Sequence, residues 1–240
     1  MNCLTVKRTT RSFAMILAVA ALAVGFLTPG FAQSEQPNPE SGRAVVVGTF
    51  SRDPGGACFQ CHGMEGAGDA AAAFPRLAGQ EYEYLLKSLK DYASGARANP
   101  IMSPIAAALS QQEMQDVSAY YAGQSDVPVA IQSPVEAISS LQYGAALSAI
   151  GSAERGVQAC VNCHGPQGSG LAPTYPYLAG QHASYVEAQL MAWKQGTRTG
   201  DPSNVMGVNA RHMTNEDIRA VAAYFASLPA PTSTDEGGAP

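Results

Sequence analysis

The hexapeptide Cys58-Phe59-Gln60-Cys61-His62-Gly63 returns 102 residues later as Cys160-Val161-Asn162-Cys163-His164-Gly165. Pro75-Arg76-Leu77-Ala78-Gly79-Gln80 returns as Pro176-Tyr177-Leu178-Ala179-Gly180-Gln181 at an offset of 101, and Tyr84, Leu89, Gly95 and Arg97 fall on Tyr185, Leu190, Gly196 and Arg198. Met102 falls on Met206 at an offset of 104, after three extra residues in the second copy. The stretch ending in Val117-Ser118-Ala119-Tyr120-Tyr121 matches Val221-Ala222-Ala223-Tyr224-Phe225. A repeat of this period constrains the fold more than any other feature of the chain. It requires two tandem domains of about a hundred residues, not a solenoid of many small units.

The N-terminus changes the cysteine arithmetic. Lys7, Arg8 and Arg11 precede the fifteen-residue apolar run Phe13 to Leu27, which Thr28-Pro29-Gly30 breaks. Gly30 and Ala32 place small residues three and one before a cut after Ala32, so residues 1–32 read as a secretory signal peptide. The run is short of the roughly 20 apolar residues that span a bilayer, so an uncleaved anchor is the weaker reading. Cleavage removes Cys3 and leaves four cysteines, with eleven basic against nineteen acidic side chains, a net charge of −8. The expected location is the periplasm, with membrane association only through partners or an uncleaved signal. The acidic balance opposes nucleic-acid binding. Hydrophobic residues at 46% and charged residues at 14% exclude charge-driven disorder.

Outside the cytosol, paired cysteines are ordinarily disulfides, but a disulfide framework does not explain a histidine after each second cysteine. A Cys₄ zinc site would join pairs 99 residues apart, much farther than structural zinc pairs usually lie. A thioredoxin-like dithiol needs a βαβ context that is missing here. C-x-x-C-H reads as c-type haem attachment. Two thiols three positions apart on one helical turn can bond the two vinyl groups on one porphyrin edge, and the next residue then lies beneath the ring. Two covalently bound haem c groups are expected, held by Cys58, Cys61, Cys160 and Cys163, with His62 and His164 on iron.

Each copy reads as all-α. Glu81–Ser94 and His182–Gln195 place apolar residues at helical spacing, with Gly95 and Gly196 suited to C-caps. Ser110 with Glu113, and Thr214 with Asp217, have capping-box spacing. A further helix is expected before each cysteine cluster, at Gly42–Phe50 and Gln142–Ile150. The domain reading is 33–125 and 141–228, with a connector over 126–140. Frayed ends are expected over 33–40 and 229–240.

Methionine opposite histidine is the usual cytochrome c arrangement, and eight methionines compete for that place. Met1 and Met15 leave with the signal, and Met64 is too near His62 to reach the opposite face of the ring. Met114 aligns with Ile218, Met213 with Leu109 and Met191 with Lys90, as core or helix-face residues do. Only Met102 and Met206 align with each other, both on segments read as loops. The competing reading is two further core methionines.

The paired CxxCHG, both Leu-Ala-Gly-Gln segments, the following Gly-x-Arg and the two methionine segments resemble the di-haem cytochrome c4 family, two class I cytochrome c domains in tandem. That resemblance implies His62 with Met102 on one iron and His164 with Met206 on the other. It also implies that the carbonyls of Pro75 and Pro176 accept from the histidines' Nδ1. A periplasmic electron carrier passing electrons from a respiratory donor towards a terminal oxidase would follow, with redox proteins as partners. Two other readings stay open. One is a di-haem electron-accepting subunit of a larger dehydrogenase. The other is an enzyme, such as a di-haem peroxidase or thiosulfate-oxidising cytochrome, which needs an iron with a displaceable ligand; the carrier is the expectation. Arg97 and Arg198 have two readings as well, a partner for a haem propionate or a solvated charge at a helix end. His182 and His212 read as surface histidines, Tyr84 and Tyr185 as core packing, and Trp193 as packing a helix against the haem. Arg76, replaced by Tyr177 in the second copy, has no shared role.

Overall fold

In the computed structural model the described residues are 36–52, 55–124, 127, 138–201 and 203–230, and they contain ten α-helices and no strand. In the first copy these are α1 (Pro39–Val46), α2 (Phe59–His62), α3 (Tyr82–Ser94), α4 (Met102–Ala108) and α5 (Gln111–Ala122). The second copy repeats the order with α6 (Ile138–Ile150), α7 (Val161–His164), α8 (Ala183–Gln195), α9 (Val205–His212) and α10 (Asn215–Ala226). The expected signal segment, residues 1–32, lies outside the described residues, and of the expected tail only Pro229 and Ala230 are described. No helix among the described residues is long and apolar enough to cross a membrane.

In each copy the first helix packs across the last, α1 on α5 and α6 on α10. A glycine makes both crossings possible. A Cβ on Gly42 would sit 2.1 Å from the Asp116 carbonyl oxygen, and one on Gly144 would sit 2.1 Å from that of Ala220. The crossing buries Val45, Val46, Met114, Val117 and Tyr121 in one core, and Leu147, Ile218, Val221 and Phe225 in the other. Burying an aliphatic or aromatic side chain of this size stabilises by roughly 1.5–3 kcal/mol. Leu109 and Met213 are equally buried, so the alignments of Met114 and Met213 with core positions hold.

Both capping boxes form. The Ser110 hydroxyl accepts from the Glu113 N–H while the Glu113 carboxylate accepts from the Ser110 N–H, and Thr214 and Asp217 exchange the same bonds. Gly95 and Gly196 close α3 and α8 in the left-handed region, at φ 82° and 73°.

Three expectations need correction. Helix α1 begins at Pro39 and not at Gly42, because Asn38 accepts from the N–H groups of Glu40 and Ser41 and proline at the first position presets φ. Residues 38–40, expected to fray, are therefore a helix start, and the Asn38 N–H also donates to Asp116 Oδ1 at 2.8 Å. Helix α6 begins at Ile138, inside the stretch read as connector, of which only residues 127 and 138–140 are described. The methionine segments are not loops: Met102 opens α4, and Met206 is the second residue of α9.

Candidate functional site

The turn that carries each cysteine pair is short and helical. Cys58 has φ −56° and ψ −40°, and its carbonyl accepts from the N–H groups of Cys61 at 3.3 Å and His62 at 3.0 Å. Cys160 does the same for Cys163 at 3.2 Å and His164 at 2.9 Å. Both thiols of each pair therefore stand on one turn. No disulfide joins Cys58, Cys61, Cys160 or Cys163 to one another. Among the described residues no three His, Cys, Asp or Glu side chains converge to hold a metal ion, so the pairs do not assemble a Cys₄ zinc site.

His62 and His164 are buried, 6% and 7% exposed. The His62 Nδ1 lies 3.1 Å from the Pro75 carbonyl oxygen and the His164 Nδ1 lies 2.9 Å from that of Pro176. A carbonyl can only accept, so Nδ1 carries the hydrogen and Nε2 keeps its lone pair for a metal. Burial holds both imidazoles below the usual histidine range, and the bonds to Pro75 and Pro176 oppose this in part. The neutral ring is the form a metal binds. An aromatic ring stands beside each imidazole, Phe74 at 6.2 Å and Tyr175 at 6.0 Å between centroids. Met102 and Met206 are half-buried. The Met102 N–H donates to Asn99 Oδ1 at 2.8 Å, and the Met206 N–H to Asp201 Oδ2 at 2.7 Å. Two thiols on a turn, a neutral imidazole oriented through Nδ1, and a recurring thioether are the donor set that a covalently bound haem requires.

The arginines are buried, which sets aside the reading of a solvated charge at a helix end. Arg97 and Arg198 are 3% and 9% exposed and pair with each other across the two copies as an antiparallel bridge. Arg97 donates to Tyr185 Oη and Gln189 Oε1, both at 2.6 Å, while Arg198 donates to Tyr84 Oη at 3.3 Å and Gln189 Oε1 at 3.0 Å. Each guanidinium stacks on an aromatic ring of its own copy, Tyr92 at 4.4 Å and Trp193 at 4.6 Å. They are not solvated charges, and Trp193 packs against an arginine. Tyr84 and Tyr185 serve this junction more than a core. Burial raises both phenols, but the guanidiniums of Arg198 and Arg97 outweigh it at Tyr84 and bring that hydroxyl below the usual tyrosine range. The hydrogen-bond partners of both arginines are hydroxyls and an amide oxygen with no carboxylate among them, and the buried Arg198 Nε has no hydrogen-bond partner among the described residues.

Sequence reasoning missed what the Leu-Ala-Gly-Gln glutamines do. Gln80 accepts from the Tyr177 N–H and donates to its carbonyl, both at 3.1 Å. Gln181 does the same to Arg76, both at 2.9 Å. A polar residue recurring at one repeat position was the available signal. Arg76 therefore has a partner across the junction, and its guanidinium donates to the Val127 carbonyl at 2.8 Å. His182, expected at the surface, is half-buried, with Nε2 donating to the Ala67 carbonyl at 2.9 Å; His212 is exposed, as expected.

Residues 53–123 and 151–229 match the family model for cytochrome c. The chain is 38% identical over 173 residues to cytochrome c4 of Pseudomonas aeruginosa, covering 71% of this chain and 83% of that protein. The chain belongs to the di-haem cytochrome c4 family. Each domain of this cytochrome binds a haem c covalently, and the protein is an electron carrier. It also resembles the thiosulfate dehydrogenase electron acceptor of Stutzerimonas stutzeri, 45% identical over 195 residues, 81% of this chain and 89% of that one. Two solved structures share its fold. A thiosulfate dehydrogenase from Marichromatium purpuratum superposes with a TM-score of 0.73 at 40% identity, over 79% of this chain and 40% of that longer one. Reduced cytochrome c4 from Pseudomonas stutzeri superposes with a TM-score of 0.69 at 32% identity, over 80% of this chain and all of the other. The haem supplies one-electron exchange whose potential its axial ligands and surroundings tune.

Proposed function

We propose that this cytochrome works in the periplasm as the electron acceptor of a thiosulfate-oxidising dehydrogenase and hands the electrons on towards a terminal oxidase. The observation that carries the reading is its 45% identity to the Stutzerimonas stutzeri acceptor, joined by 40% identity over 172 residues to a second such acceptor, from Thiomonas intermedia. The residues alone favour a free carrier over an acceptor subunit, and this likeness shifts the weight to the acceptor. The export-like segment before Gln33 supports the location. His62 with Met102, and His164 with Met206, are the assigned axial pairs. With both pairs in place neither iron offers a site to substrate, which favours a carrier over a catalyst.

Arg97 and Arg198 are assigned to the haem propionates. Two buried cations with no carboxylate among their hydrogen-bond partners call for anionic compensation, and a planar guanidinium suits a carboxylate.

The test is to mix the oxidised holoprotein with a thiosulfate dehydrogenase and thiosulfate. Reduction of both haems supports the reading. A cytochrome that stays oxidised there but is reduced by a quinol-oxidising complex is a carrier between respiratory complexes instead. The ligand assignment is checked by the near-infrared methionine–iron band: Met102→Ala and Met206→Ala each remove one of two contributions. Sequencing the exported protein from Gln33 checks the cleavage.

A further inference from the structure

We propose that Asp201 holds the potential of the second haem below the value its histidine and methionine alone would set. The inference rests on Met206 being the axial ligand in that domain. The two copies make the same bond to the methionine backbone with different chemistry. In the first, Asn99 Oδ1 accepts from the N–H groups of Ile101 at 2.9 Å and Met102 at 2.8 Å. In the second, Asp201 Oδ2 accepts from the Met206 N–H at 2.7 Å. Each acceptor precedes a proline, in Asn99-Pro100 and Asp201-Pro202, and two of the three inserted residues fall between this dipeptide and the methionine. The insertion keeps the bond while a carboxylate replaces an amide.

That replacement matters for electron uptake. Reduction adds one electron to the centre, with no bond made or broken and no proton moved. A negative charge one hydrogen bond from the ligand's backbone opposes that electron, whereas the amide of Asn99 does not. Asp201 is in neither ion pair among the described residues, Lys87–Asp91 and Arg155–Asp217, and the Lys87 ammonium at the neighbouring Gly200 carbonyl is already paired with Asp91. Asp201 is half-buried, so solvent screens it only in part.

Asp201→Asn keeps an oxygen acceptor for the Met206 N–H and removes only the charge. Asn99→Asp places the same charge in the first domain. Optical redox titration of both holoproteins and the wild type reads the two midpoints. Asp201→Asn is expected to raise one midpoint, favouring reduction roughly three- to tenfold, a tenfold change being about 59 mV for a one-electron couple. Asn99→Asp is expected to lower the other. The proposal is overturned if Asp201→Asn leaves both midpoints in place, if it raises both equally, or if the two variants move the same midpoint. A wild type with only one methionine–iron contribution defeats the ligand assignment and the proposal with it; two contributions with unmoved midpoints defeat the proposal alone.

Discussion

Gln181 closes a two-bond ring on the backbone of Arg76, accepting from its N–H and donating to its carbonyl, both at 2.9 Å. Gln80 does the same to Tyr177, so the two haem domains grip each other through equivalent residues. Truncating either glutamine strands two buried backbone groups, each at about 1–3 kcal/mol. Gln181→Ala is expected to split thermal unfolding of the holoprotein into two transitions, one per domain, in calorimetry. A single unshifted transition would show that the junction does not depend on these bonds.

Arg97 and Arg198 meet at the same junction. Replacing Arg198 by glutamine removes a buried positive charge, which is expected to lower a haem potential by about 59 mV for each tenfold change in the reduction equilibrium. Arg198→Lys should recover the potential only in part, because a point charge lacks the guanidinium fork. Potentiometric titration checks both. An unchanged potential in Arg198→Gln would mean that the arginine serves only the tyrosine contacts.

Gly144 lies where α6 crosses α10, with room for no side-chain atom against the Ala220 carbonyl. Gly144→Ala is expected to force the helices apart and cost about 1–3 kcal/mol, read as a lower denaturant midpoint. Gly42→Ala should behave alike in the first domain, since its Cβ would meet the Asp116 carbonyl.

Glu113 accepts from the Ser110 N–H at 2.7 Å and from Ser51 through both N–H and hydroxyl. Burial alone would raise this carboxyl, but those bonds outweigh it and bring it from 4.5 down to about 2. A folded value below the unfolded one gives stability that is present above the unfolded value and lost as pH falls through the folded one. Glu113→Gln keeps a capping-box side chain and loses the charge, so it should cost about 1 kcal/mol at neutral pH once solvent screening is allowed for. The difference from wild type should shrink between pH 4.5 and about 2. Denaturant melts across that range test it, and a difference that is constant with pH would refute it.

The cysteine turns, the long helices α3, α5, α8 and α10 and the capping boxes are legible because their chemistry is local. A thiol spacing, a 3.6-residue period or a cap is written within a dozen residues. The Pro75 and Pro176 carbonyls followed from the family resemblance. The first three residues of helix α1 are not legible, because an Asn-Pro start looks in sequence like a polar chain end. The roles of Gln80, Gln181, Arg97, Arg198 and His182 were not legible. Their partners lie 88 to 115 residues away, and periodicity tells which face is buried without telling what covers it.

The sequence by itself thus determined two haem-bearing helical domains and singled out the residues proposed to hold each haem, since a cysteine turn and a repeat position are both written locally. Only the tertiary structure decided that the domains lock through backbone-gripping glutamines, that the arginines lie buried between them, and that one methionine leans on an amide and its counterpart on a carboxylate. Those outcomes depend on which surfaces meet when two copies of one fold close on each other, and no local period or spacing encodes that.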